Sequence, residues 1–283
     1  MKYTHALLAL NTLVLIGLQP QIASASTLLY DGNGLPENQT PQWLALGALN
    51  SSGIPITTFS GTAVSEGVEV DSDADGAEYA GYSNYNPLTE TFINPDFPTL
   101  DFSSGYSIFF EMMLDDDSTT FSDPDDNRAA FSVTAIGTGN RGIEIGFDRD
   151  RIFAQSPDFM QVAAETQSFD TSIGTDYQLI MSGNTYQLLA NTGSGFSPVI
   201  NGSLREYDFN PITSQPPLDT FNPYQIPNFL FFGDNTGRAY GTFTLGEIRV
   251  ETAIASTPEA NFTIALALMG IGLTGKKYLQ KSE

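Results

Sequence analysis

Residues 128–155 read RAAFSVTAIGTGNRGIEIGFDRDRIFAQ. Phe131, Val133 and Ala135 recur at every second position, which places them on one side of an extended segment. Ile143, Ile145 and Phe147 do the same in the second half, and GTGN between the halves reads as a turn. The stretch predicts a β-hairpin at the centre of a sheet, and with it a globular module. It names no chemistry.

Working outward, Tyr106–Leu114 is the next firm strand, with Tyr106, Ile108, Phe110, Met112 and Leu114 along one face. Tyr177–Met181 and Tyr186–Ala190 form a second hairpin around SGNT. Phe229–Phe232 and Thr242–Val250 supply the last two strands. In the latter, alternation places Phe243, Leu245, Glu247 and Arg249 together and Thr244, Gly246, Ile248 and Val250 opposite. Shorter strands are expected at Thr27–Tyr30, beside Trp43 as a core lid, within Gly53–Tyr82 and at Arg151–Ala154, with an edge strand at Leu204–Phe209. Ser83–Phe102, with Pro87, Pro95 and Pro98, reads as a surface excursion, Asp115–Asn127 as a polar loop, and Pro211–Pro227 as a proline-rich loop. No apolar-poor linker interrupts the middle and no repeat period appears, so one domain from Ser26 to Ala253, built of two packed antiparallel sheets, is expected.

The composition agrees: 20 Phe and 12 Tyr supply a core, 26 Gly and 16 Pro supply turns, and a chain so rich in aromatics is not disordered despite its net charge of -22. Both ends read as processing segments. Lys2 precedes an apolar run from Ala6 to Leu18, and Ala23-Ser24-Ala25 offers the small residues of a signal-peptidase site, so residues 1–25 are expected to be a signal peptide. Residues 254–261 form a linker containing Pro258-Glu259, and residues 262–283 an apolar helix ending in Lys276, Lys277 and Lys281. That order resembles the PEP-CTERM sorting tail of Gram-negative bacteria, with Ala260 where the second Pro would stand. A helix of roughly 15 residues is short beside the roughly 20 that span a bilayer, but terminal lysines extend its reach by snorkelling.

Without those ends, Ser26–Ser256 keeps 31 of the 33 acidic residues and 7 basic ones, all arginine, for a formal charge of -24. Clustered positive charge is missing, which excludes an ordinary nucleic-acid or anionic-membrane binder. Cysteine is absent, so disulfides cannot stabilise an exported chain. The single histidine, His5, lies in the expected signal peptide, which leaves the body without Cys or His for a soft-metal site or a Ser-His-Asp triad.

Carboxylates remain the candidate ligands. Asp71, Asp73 and Asp75 in DSDADG match the opening of an EF-hand loop, but Tyr82 occupies the twelfth position where a bidentate Glu belongs, so a different calcium loop or a solvated acidic turn is expected. Asp115, Asp116, Asp117, Asp123, Asp125 and Asp126 form a denser group that could gather Ca2+ through hard oxygens or simply be solvated. Glu144 and Asp148 share a strand face but lie about 13 Å apart at normal strand rise. Retaining hydrolysis needs about 5 to 5.5 Å and inverting about 6.5 to 9.5 Å, so no catalytic residue is assigned. Arg128, Arg141, Arg149, Arg151, Arg205 and Arg238 suit ion pairs with the many acids, or a carboxylated glycan. In the GDNTGR loop, Asp234, Asn235 and Arg238 can hydrogen-bond hydroxyl-rich ligands, and Tyr240 can pack against a sugar ring or cap an edge.

The segments NRAAFSV, GIEIGFDRDRIFAQ, SFDTSIGTDYQLIMSGNTYQLL and PNFLFFGDNTGRAYGTFTLGEIRV together resemble the concanavalin A-like or laminin G-like sandwiches of secreted bacterial proteins, over most of Ser26–Glu251. The resemblance implies an all-β, two-sheet antiparallel β-sandwich of jelly-roll type, followed here by the short C-terminal hydrophobic helix. It implies an exported, surface-associated module that binds an extracellular polysaccharide or matrix component, with its tail engaging the membrane or sorting machinery. A structural surface protein without a small ligand is the second reading, and a polysaccharide hydrolase or lyase the third.

Overall fold

The computed structural model describes residues 24–40, 42–47, 59, 61–72, 80–118, 127–210, 221–236 and 239–253. Its strands are β1 (Ser24–Tyr30), β2 (Leu44–Leu46), β3 (Thr62–Val64), β4 (Gly67–Asp71), β5 (Ala80–Ser83), β6 (Tyr85–Asn86), β7 (Thr91–Phe92), β8 (Tyr106–Ser118), β9 (Phe131–Ile136), β10 (Gly142–Asp148), β11 (Arg151–Gln155), β12 (Gln161–Ser168), β13 (Thr175–Ser182), β14 (Thr185–Asn191), β15 (Phe196–Ser203), β16 (Phe229–Asp234) and β17 (Tyr240–Ala253). One sheet has the order β15-β14-β13-β8-β17-β4-β3, with β1 also paired to β17, and the other β12-β11-β10-β9-β16-β5-β2. All their pairings are antiparallel, and the two sheets form a jelly-roll, concanavalin A-like β-sandwich. Among the described residues helix is confined to three-residue 3-10 turns, and none is long and apolar enough to cross a membrane.

The central hairpin forms as its alternation dictates. Phe131 faces Phe147, Val133 faces Ile145 and Ala135 faces Ile143 across β9 and β10, and all six are fully buried. They meet the inward residues of the eight-stranded sheet: Phe131 packs on Phe243 with ring centres 4.9 Å apart, Phe147 on Tyr177 at 5.3 Å, and Phe232 on Phe110 at 5.4 Å. Each such side chain contributes roughly 1.5–3 kcal/mol through removal from water. Trp43 closes this core from the side, 3% exposed, its indole N–H donating to the Leu29 carbonyl at 3.0 Å.

A second, smaller cluster covers the outward face of the seven-stranded sheet. Ile136, Phe229 and Phe231 lie there beneath Tyr207, Phe221 and Tyr224, and Phe159 and Phe209 pack at its rim. This layer makes β9, β10 and β16 buried on both faces.

Four expectations change. Asp115–Asp117 do not open a loop: β8 continues to Ser118 because Tyr240–Thr242 of β17 extend its backbone ladder, and a bulge between Leu114 and Asp116 accommodates Asp115. In β17 the register shifts between Leu245 and Ile248, so one extra residue reverses the alternation. Phe243, Leu245, Ile248 and Val250 therefore all point inward and are fully buried, while Glu247 stays exposed. Leu204–Phe209 is not a strand, for only Arg205 bridges, to Gly142, and Leu204 and Tyr207 turn inward instead. β15 and β12 each form one edge of their sheets, and their polar residues and Pro198 conceal them from a search for apolar alternation. The expected C-terminal helix and Pro-Glu linker, and the signal peptide apart from Ser24 and Ala25, lie outside the described residues. Ser24 and Ala25 belong to β1, where they pair with Ala253 and Thr252.

Candidate functional site

The two-residue turn Arg149-Asp150 joins β10 to β11, closed by the pairing of Asp148 with Arg151. Arg151 clamps it, its Nε donating to Asp148 Oδ2 at 2.7 Å and its Nη2 completing the ion pair 2.6 Å from the same oxygen. The loop after β12 is laced onto this turn. Phe169 N–H donates to the Asp150 carbonyl at 2.9 Å, Thr171 N–H to the Arg149 carbonyl at 3.1 Å, and the Thr171 hydroxyl to the Asp148 carbonyl at 2.8 Å. The Thr171 carbonyl in turn accepts from Leu114 N–H at 2.9 Å, which ties the loop to β8 in the opposite sheet.

Between the turn and the loop lies an open recess of about 470 Å³, lined by Arg149, Asp150, Ser168, Phe169, Asp170 and Ser172. Phe169 is half-buried, its ring 6.1 Å from that of buried Tyr177. Asp170 accepts from both the hydroxyl of Ser172 at 2.6 Å and its N–H at 3.0 Å. Those bonds, led by the hydroxyl, hold the Asp170 carboxyl below its ordinary range, with the Arg149 charge adding to the effect. The recess thus combines a half-buried aromatic side chain, packed on its other side against the main core, with two carboxylates, a guanidinium and two serine hydroxyls on a backbone held by four hydrogen bonds between loop, turn and strand. Such a set can stack an apolar ring face while donating to and accepting from hydroxyl groups around its edge.

A second polar constellation is buried beneath the outer aromatic layer. Glu144, fully buried on β10, has Oε1 3.1 Å from Arg128 Nη2, a close ion pair rather than an aligned hydrogen bond. Its other oxygen accepts from the Tyr224 hydroxyl, and its backbone N–H donates to the Tyr207 hydroxyl at 2.6 Å. Arg128 also donates to Asn235 Oδ1 at 2.8 Å and lies over the Phe159 ring at 5.2 Å. Burial, followed by the Glu144 charge, pushes the Tyr207 and Tyr224 phenols far above their ordinary value. This arrangement satisfies a charge in the interior. It separates Glu144 from Asp148, whose carboxylate is held by Arg151 instead.

The remaining sequence candidates are scattered. Asp71 is exposed at the end of β4, while Asp73 and Asp75 lie outside the described residues, as do Asp123, Asp125 and Asp126. Asp115 accepts from the Thr244 hydroxyl at 3.2 Å, Asp117 from Arg149 N–H at 2.8 Å, and Asp116 is exposed. Among the described residues no three His, Asp or Glu side chains converge as a metal site. Asp234 is buried and accepts from Thr236 N–H at 2.9 Å, turning the chain after β16, and Asn235 also accepts from Ser132 at 3.3 Å. Tyr240 is buried at the head of β17, and Arg238 lies outside the described residues. Sequence reasoning missed Phe169, Asp170 and Ser172; the available signal was the Asp-x-Ser turn in SFDTS, directly after an aromatic residue.

No family model matches the sequence, and no curated protein sequence does. Among solved structures the chain is similar to a carbohydrate esterase of the Shiga toxin-encoding bacteriophage phi24B, with 13% identity over 81% of this chain and 100% of that one, at a TM-score of 0.44. It is similar to domain 4 of AbnA, a GH43 extracellular arabinanase of Geobacillus stearothermophilus in complex with arabinotriose, with 14% identity over 81% and 93% of the two chains and a TM-score of 0.42. The exoplasmic/lumenal domain of VIP36, in a form bound to Ca2+ and Man3GlcNAc, shows 10% identity over 83% and 94%, at 0.44. At such identities and scores the likeness is one of fold, and no ligand or residue role passes to this chain.

Proposed function

We propose that this protein is an exported, surface-associated β-sandwich module that binds glycan. The observation that carries the reading is the open recess in which Phe169 stands beside Arg149, Asp150, Asp170, Ser168 and Ser172. A sugar ring offers an apolar face of C–H groups and a rim of hydroxyls, and the recess offers a counterpart to each. Export rests on the signal-peptide pattern of residues 1–25, and retention at the envelope on the PEP-CTERM-like order of residues 254–283 flanking the sandwich at 26–253. Calcium enters only as an ion to test at the acidic ends of β4 and β8, Asp71 and Asp115–Asp117, where it would offset mutual repulsion, since among the described residues no three carboxylates converge on one point.

The test is binding of the purified protein to a panel of neutral and acidic glycans and bacterial exopolysaccharides, in matched calcium and chelator conditions. Saturable, selective binding is expected, weakened about tenfold by Phe169→Ala, the equivalent of roughly 1.4 kcal/mol. Uniform weak binding to every surface, or selective binding indifferent to Phe169→Ala, refutes the recess as the site. Loss of selectivity on chelation supports the calcium role, and indifference to chelation removes it.

One observation favours a structural surface role as a second reading. Across the outward face of the eight-stranded sheet, the register aligns Leu28, Arg249, Phe109, Gln178, Leu189 and Pro198 in a row over six strands. Leu28 is 48% exposed, and Phe196, 41% exposed, packs edge-on against Phe109 at 6.0 Å. Surface assembly lost in Leu28→Ser and Phe196→Ser, with no glycan selectivity in the parent, would move this reading ahead.

A further inference from the structure

Within the described residues, five arginine side chains have a polar partner. Arg128 meets Glu144 and Asn235, Arg151 meets Asp148, Arg205 meets Glu165, Arg249 meets Glu247, and Arg141 donates to Asn184. Arg149 is different. Its backbone N–H donates to Asp117 Oδ2, but its exposed guanidinium makes no hydrogen bond or ion pair. In a chain with 33 acidic residues and 11 basic ones, a guanidinium without a bonded partner is conspicuous, and this one, whose charge is felt by Asp170, stands in the wall of the recess. Its neighbour Asp150 is also exposed, and its carboxylate too makes no bond, whereas Asp170 is occupied by Ser172.

We infer that the recess takes a sugar bearing a carboxylate, a uronic-acid residue of an acidic glycan, with Arg149 receiving the carboxylate and Asp150 the hydroxyls. This rests on the glycan-binding reading above and narrows its ligand class. The guanidinium presents parallel N–H donors whose spacing matches the two oxygens of a carboxylate, which a neutral sugar hydroxyl cannot use as a fork. Asp150, an acceptor only, repels the ligand carboxylate and accepts O–H donors, so the adjacent pair orients the ring in one direction. Phe169 supplies the stacking face for either sugar class. Charge therefore decides which class is preferred, and stacking decides whether a ring is held at all.

The test uses the full chain and three probes: an oligouronide, the same oligosaccharide with its carboxyl groups reduced to alcohols, and a neutral oligosaccharide of equal length. Titration calorimetry is run in about 0.15 M salt, where the Debye length of about 8 Å screens the overall acidic charge. The oligouronide is expected to bind about tenfold or more tightly than its reduced form. Arg149→Gln is expected to bring the two to equal affinity, and Arg149→Lys to restore part of the difference. If the parent binds the reduced and acidic forms equally, or if Arg149→Gln keeps the full preference, the inference is overturned while Phe169-sensitive glycan binding stands. If no probe binds, the glycan reading fails and this inference with it, and if binding ignores Phe169→Ala, the recess is not the site and the inference falls.

Discussion

Replacing Arg128 by Met tests how the outward face of the seven-stranded sheet is held. Arg128 is the cation for Glu144, a fully buried carboxylate on the central hairpin, at 3.1 Å. Its removal leaves that charge with the Tyr224 hydroxyl as its side-chain donor and strips Asn235 and the Phe159 ring of a partner. Stranding a buried charge in this way costs about 3–5 kcal/mol. With a urea dependence near 3 kcal/mol per molar for a domain of this size, the midpoint should fall by about 1 to 1.7 M. Trp43 provides the assay, because it is the chain's one tryptophan and is 3% exposed, so its fluorescence shifts to the red when the core opens. The double variant Arg128→Met with Glu144→Met removes both charges and should lose only about 1–2 kcal/mol, chiefly for the Tyr224 hydroxyl left without its acceptor. The two sites would then couple by about 2 kcal/mol or more. A midpoint shift of less than about 0.2 M for the single variant, or simple additivity in the double, would refute the account of Glu144 as a charge sustained by Arg128.

Further outcomes follow from the backbone and from the titrating groups. Gly67 opens β4 at φ +141°, and a Cβ there would lie 2.1 Å from the Leu245 carbonyl oxygen, so Gly67→Ala should lower stability by about 2 kcal/mol or more in the same urea assay. A variant as stable as the parent would contradict the packing of the β3–β4 turn against β17. Burial raises the Tyr106, Tyr177, Tyr207 and Tyr224 phenols far above their ordinary value of 10.0. The unfolded chain loses those protons first, so stability is intact below pH 10 and falls as pH rises beyond it. Phenolate absorbance from these four should accordingly appear together with the Trp43 shift, and reversible ionisation with native fluorescence would count against it. Glu111 is raised above the ordinary carboxyl value of 4.5 by partial burial and then by Asp176, Glu247 and Glu66. Its charged form is the one the fold resists, so Glu111→Gln should melt higher than the parent at pH 7 and level with it well below pH 4, as read by calorimetry.

Much of the architecture was legible in the sequence because burial imposes a period. Phe131–Ala135 and Ile143–Phe147 alternate cleanly, and water exclusion from one face leaves few other ways to satisfy them. The same logic located most of β8, β13, β14 and β16, and excluded soft-metal and triad chemistry by the residues the body lacks. It failed at β12 and β15, where QVAAETQS and FSPVINGS carry little apolar pattern. Those edges are held by backbone ladders and by Glu165, which accepts from Arg205 and from Tyr186 and so ties the two sheets together at that side. It failed again in β17, where the bulge at Gly246-Glu247 reversed the inward set.

The sequence by itself determined that a β core forms, that its body is acidic, and that one strand carries Ile143–Asp148 and another begins at Arg151. Tertiary structure alone decided that the Arg149-Asp150 turn faces Phe169, Asp170 and Ser172, and that Glu144 draws Arg128 rather than Asp148 as its companion. The reason is physical. Periodicity records which face of a strand leaves water, a local property, whereas a recess or a buried ion pair depends on which distant loops and strands the folded sheets bring within a few ångströms.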